Sequence, residues 1–237
     1  MKINRIIGVL FLTGAIALLV PYTALTIMFD YPDILRRDSA DVLIKFHEGG
    51  TALILTWFAF AITGIPLLPA YILLGQKLEN QSPLIRVATT IGIVGLIVQM
   101  VGLLRWTFVI PILADSFVNA DDEPTRAAAI MAFKTIHQFG GVLLGEHLGQ
   151  LFTIIWTVSL SIAFARLKLV PAWIIWLGYI SSFIYLLAQA ELFETVIRGF
   201  PVWDLAGFIG STLWLLWLIM IGVTFLKARP TSTIRVA

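Results

Sequence analysis

Six long apolar stretches run through this chain, near Ile6–Phe29, Thr51–Leu74, Leu84–Ile110, Gly140–Ala165, Ala172–Ala190 and Leu205–Leu226. Each is about the ~20 residues that a helix needs to cross ~30 Å of hydrocarbon. The fold class this dictates is all-α, a polytopic membrane bundle of six transmembrane helices. With 59% hydrophobic and 13% charged residues, the composition leaves no room for a sizeable soluble domain. Residues 1–237 therefore read as a single integral membrane domain.

Charge sets the expected orientation. Lys2, Arg5, Lys77, Arg86, Arg166, Lys168, Lys227, Arg229 and Arg235 fall on one side of the spans against the single acid Glu79. Arg36, Arg37, Lys45, Arg126, Lys134 and Arg198 fall on the other side with twelve acids. Lys and Arg in short loops mark the cytoplasmic face, so both termini are expected in the cytoplasm, with the acids outside. Lys2 and Arg5 before an apolar run also resemble the start of a signal peptide. The run continues to about Phe29 without a small-residue cleavage site, and reads as an uncleaved first span. The cations lie scattered at helix ends, which gives no nucleic-acid signal. The chain has no cysteine, which excludes a disulfide framework, a thiolate metal site and a cysteine nucleophile.

The outer loops, Asp30–Gly50 and Asp115–Phe139, are longer than the inner turns Gly75–Pro83 and Arg166–Pro171. Asp121-Asp122-Glu123-Pro124 reads as a helix start, with acids at the positive end of the dipole and proline in the first turn. The spacing predicts a short interfacial helix over Thr125–Ile136, before the fourth span, serving as a cap over the bundle or as a moving gate.

Inside the spans, Gly92, Gly95, Gln99, Gly102 and Arg105 share one stripe of the third helix, which faces protein. Gly141, Gly145 and Gly149, four apart on the fourth, permit close helix approach. Ionisable groups at membrane depth carry more information, because a charge in hydrocarbon is costly unless paired or wetted. Arg105 lies roughly 12 Å inside the outer end of its span at 1.5 Å per residue, and Glu146 and His147 lie at about the same level. Three readings stand for this deep set: an Arg105–Glu146 ion pair that fixes helix register, a pocket in which Arg105 holds an anionic or zwitterionic ligand, and a catalytic acid–base site on Glu146 or His147. Gln150, four residues after Glu146, shares its expected face, while His147 is turned about 100° away.

A second tier, His47, Glu48, His137, Glu191 and Glu194, is expected at the outer rim. Such a His/carboxylate set could hold zinc, manganese or iron, and His47 and His137 could ligate haem. An ordinary interfacial side chain is the plainer reading of each histidine. The inner half offers only Thr, Ser and Tyr within its spans, which argues against a continuous ion pathway. His47-Glu48-Gly-Gly lacks the second histidine of the HExxH zinc motif, and nucleophile-elbow and phosphate-loop sequences are absent. The eight tryptophans suit span ends and bundle packing. A faint echo links Lys45-Phe-His47-Glu48-Gly49-Gly50 with Lys134-Thr-Ile-His137-Gln138-Phe-Gly140-Gly141.

The stretch Gly140-Gly-Val-Leu-Leu-Gly-Glu-His147-Leu-Gly-Gln, followed by a span and Arg166-Leu-Lys-Leu-Val-Pro171-Ala-Trp-Ile-Ile-Trp-Leu-Gly178, resembles a bacterial six-span membrane family of unknown function, the domain-of-unknown-function type four-three-eight-six. The resemblance implies a six-helix protein of the bacterial cytoplasmic (inner) membrane and carries no activity. From the residues, the expected function is an outward-facing polar vestibule. It would bind a small anionic or zwitterionic ligand, a lipid head group or a metal ion, with Arg105, Glu146, His147, Gln150 and Gln99 lining it. The alternatives are a membrane-embedded, metal-dependent hydrolase or oxidoreductase, and a structural or assembly partner. The lipid bilayer is the one partner the sequence dictates; the oligomeric state is not legible.

Overall fold

A computed structural model describes residues 2–227, all helical apart from turns. Arg229 and Arg235, counted above on the basic side, lie outside the described residues. Six helical stretches are long and apolar enough to cross a membrane: Ile3–Phe29, Ser39–Leu78, Pro83–Val118, Glu123–Leu167, Ala172–Glu194 and Ala206–Lys227. The protein is a multi-pass membrane protein. We number its helices α1 (Lys2–Phe29), α2 (Ser39–Ile62), α3 (Leu67–Leu78), α4 (Pro83–Phe108), α5 (Ile110–Val118), α6 (Glu123–Ile136), α7 (Gly149–Leu167), α8 (Ala172–Leu187), α9 (Gln189–Glu194) and α10 (Ala206–Lys227). Between α6 and α7, His137–Leu148 is wound as a π-helix.

Helix starts follow local chemistry. Asp122 caps α6 by accepting from the Thr125 amide at 2.7 Å, as its acid-rich start predicts. Asp38 caps α2 in the same way through Ala40 at 2.9 Å. The first connection, expected as loop through Gly50, is therefore helical from Ser39. Its charged Asp41, Lys45 and Glu48 read as loop, yet Val42, Leu43 and Phe46 are buried at the spacing of one helix face. The arm ends at Gly50, whose φ of 51° and ψ of −147° kink α2; that backbone is open essentially to glycine alone. The third stretch also outruns its expected end at Ile110. It breaks at Val109 and restarts as α5 with Pro111 in the first turn, where a missing N–H costs nothing.

Two apolar clusters stack along the bundle. One is built around Phe11, Tyr71, Trp156 and Trp217; the other around Phe29, Phe46, Trp57 and Trp106. Glycines set the spacing between helices. A side chain at Gly102 would meet the Gly140 carbonyl and the Gly145 Cα, both at 2.7 Å, and one at Gly8 would meet the Gly222 carbonyl at 2.7 Å. The small-residue stripes of α4 and the π segment thus face each other, as their spacing predicts. We call the end with residues 30–38, 119–122 and 195–205 the acidic end, and the opposite one the basic end.

Candidate functional site at the acidic end

Polar side chains from four stretches of chain converge beneath the acidic end, above the aromatic layer of Trp57 and Trp106. At their centre is Arg36, on a single 3-10 turn, Asp33–Arg36. Its Nη2 donates to Glu146 Oε2 at 2.8 Å and its Nε to Glu191 Oε1 at 2.8 Å. One guanidinium thereby joins the first connection, the π segment and α9. Burial alone lowers the Arg36 pKa, but Glu146 and Glu191 outweigh it and raise the pKa overall.

Arg105 sits deeper and is only 7% exposed. Its Nη1 donates to the Gly102 carbonyl and its guanidinium carbon lies 5.1 Å from the centre of the Trp106 ring, a cation–π contact. Gly141 makes room for it, since a Cβ there would strike the guanidinium. The expected Arg105–Glu146 pair is not made. Among the described residues Glu146 pairs with Arg36, and Arg105 has no carboxylate within 4 Å. Its buried Nε has no hydrogen-bond partner, although Glu146, Tyr31 and Arg36 lie within electrostatic reach. The Tyr31 phenol, between these groups and Trp57, is held above its usual pKa by burial first and by Glu146 second.

His147 and Gln150 serve one network. His147 Nδ1 lies 2.7 Å from Gln189 Oε1, and Gln189 Nε2 donates to Gln150 Oε1. The face assignment made for a regular α-helix therefore fails: His147 and Gln150 turn together toward α9, while Glu146 turns to Arg36. Winding with i→i+5 bonds shifts every side chain relative to α spacing, and π segments recur at functional sites. Gln99 lies apart, donating to Thr153 at 3.1 Å.

The rim set is not assembled. His47 and Glu48 are exposed, Glu191 is engaged by Arg36, and no three His, Asp or Glu side chains among the described residues are placed to hold a metal ion. His137 lies inward, stacked on Phe133 at 5.3 Å. The Leu35 backbone approaches it without meeting hydrogen-bond geometry, so both ring nitrogens are unpartnered. Beside the cluster, Asp30 accepts from Lys45 and lies 3.1 Å from Arg37. The hydrogen bond from Lys45 is the main cause holding its pKa below the usual carboxylate range.

Residues 6–222 match the family model described as Domain of unknown function (DUF4386). The chain belongs to that family. No curated protein and no solved structure matches it. The six spanning helices give the membrane-protein character, and the family description carries no activity, which leaves chemistry to the site. Sequence reasoning missed two members of that site, Arg36 and Gln189. Gln189 is 5% exposed, and a glutamine inside the fifth apolar stretch was the available signal. Arg36 had none of its own, being one of several loop cations.

Proposed function

We propose that this protein is a binding protein of the bacterial cytoplasmic membrane, with both termini in the cytoplasm. Its acidic end faces outward and takes a small anionic or zwitterionic ligand, or a lipid head group, on Arg105. The observation that carries this reading is Arg105 itself, buried with an unpartnered Nε and no carboxylate in contact among the described residues. An unpaired buried charge costs several kcal/mol, and an anionic group of a ligand would offset that cost. Arg36 acts as the closing group. Its single bonds to Glu146 and Glu191 can be exchanged for ligand contacts, and His147, Gln150 and Gln189 supply neutral donors and acceptors alongside. The excess of Lys and Arg at the basic end supports the orientation.

A structural lock is the second reading, favoured by the three elements that Arg36 already joins. Thermal unfolding of detergent-purified protein separates the two. The probes are inorganic phosphate, phosphoethanolamine and dihexanoyl phospholipids. Binding predicts a higher midpoint with at least one probe and a change in tryptophan emission, because the guanidinium lies on Trp106, with both responses lost in Arg105→Gln. If wild type ignores every probe, only the lock remains.

A further inference from the structure

The π segment and α9 meet along a seam that is polar within and apolar at its edges. Inside it the His147–Gln189–Gln150 chain crosses from one element to the other and Arg36 reaches Glu191, while Gln138 donates to Thr195 at 3.0 Å at its exposed end. At its edges, Phe139 and Leu143 on one side and Leu187 and Phe193 on the other are 40–57% exposed. These residues lie on helices long and apolar enough to cross a membrane, so lipid is the medium expected beside them. A closed polar seam flanked by exposed apolar side chains fits an amphiphile better than a solute arriving from water.

Charge narrows the class further. The cluster holds two cations, Arg36 and Arg105, and two anions, Glu146 and Glu191. A ligand of net −1 would leave one charge uncompensated in a medium of low dielectric. A ligand that carries one phosphate and one ammonium leaves the balance at zero. We infer that the site receives the head group of a zwitterionic phospholipid, an ethanolamine phosphodiester, entering laterally between the π segment and α9. This rests on the binding function proposed above. The phosphodiester takes the guanidinium groups of Arg105 and Arg36, whose planar forks suit paired phosphate oxygens. The ammonium takes Glu146 and Glu191 as Arg36 releases them. Glu191, with 37% of its side chain exposed against 22% for Glu146, is the more accessible of the two.

The test titrates detergent-purified full-length protein with dihexanoyl phosphatidylethanolamine, dihexanoyl phosphatidylglycerol, phosphoethanolamine and inorganic phosphate, reading the unfolding midpoint and tryptophan emission. The ethanolamine lipid is expected to bind about tenfold more tightly than either the glycerol lipid or soluble phosphoethanolamine, the scale of one well-placed charged contact. Glu191→Gln, on a half-exposed side chain that tolerates replacement, should erase the preference over the glycerol lipid. Equal or tighter binding of the glycerol lipid overturns the zwitterion. Equally tight binding of phosphoethanolamine or phosphate overturns lateral lipid entry and leaves the Arg105 binding reading standing. Silence from all four probes overturns both.

Discussion

Arg36 joins partners 110 and 155 residues away through two separate nitrogens, so its removal strands two carboxylates at once. The side chains of Arg36 and Glu146 are 29% and 22% exposed, between the surface and buried limits for ion pairs. Arg36→Gln is therefore expected to lower stability by about 1–2 kcal/mol. Glu48→Gln, at an exposed position, should stay within about 0.5 kcal/mol of wild type. Denaturant titration of the two variants in mixed micelles checks this; equal losses would show that the bridge contributes nothing. The contrast with Arg105 explains what the sequence could reveal at this scale. A lone arginine among apolar residues announces itself by the cost of burying it. Arg36 lies in a loop beside Asp33 and Arg37, where any cation is expected, and only the fold brings the carboxylates to it.

At the scale of the element, the π segment is defined as much by the glycines around it as by its own winding. Gly102 on α4 lies against the backbone of Gly140 and Gly145, both 2.7 Å from where its Cβ would be. Backbone cannot move aside as a flexible side chain can, so Gly102→Ala should cost about 1–3 kcal/mol through overpacking. A Cβ on Gly145 would meet nothing nearer than 3.4 Å, ordinary contact. Gly145→Ala should be neutral, or stabilising by up to about 1 kcal/mol from the helix preference of alanine. Unfolding midpoints of the two variants decide the matter, and a larger loss at Gly145 would contradict the packing described here. The stripes themselves were legible, because steps of three and four place small residues on one helix face. The π winding was not, since no side-chain periodicity distinguishes i→i+5 from i→i+4 bonding over a dozen residues. The same limit misassigned Glu146, His147 and Gln150 to their faces. The echo between the two glycine pairs has a structural counterpart of a kind: Gly50 kinks α2, and Gly140-Gly141 lies within the π segment.

For the molecule as a whole, six apolar stretches sufficed to give the fold class, because crossing hydrocarbon leaves a chain of this composition few alternatives. They did not place the clustered polar groups relative to the two sides of the membrane, and the proposed function depends on that placement. If the acidic end faces outward, a lipid entering beside α9 comes from the outer leaflet; if inward, from the cytoplasmic one. The natural chain has no cysteine, so single cysteines report position without background. Asp121→Cys lies in the connection before α6 and Asn80→Cys in the turn between α3 and α4; both residues are exposed, and neither belongs to the cationic set that orients the chain. In spheroplasts of an expressing bacterium, a membrane-impermeant maleimide is expected to label Asp121→Cys directly and Asn80→Cys only after permeabilisation. The reverse pattern would place Arg36 and Arg105 near the cytoplasmic surface. It would show that the excess of basic residues at the other end does not govern insertion of this chain. The proposed site would then draw its ligand from the cytoplasm or the inner leaflet, with the balance of Arg36 and Arg105 against Glu146 and Glu191, and hence the proposed preference for a zwitterion, unchanged.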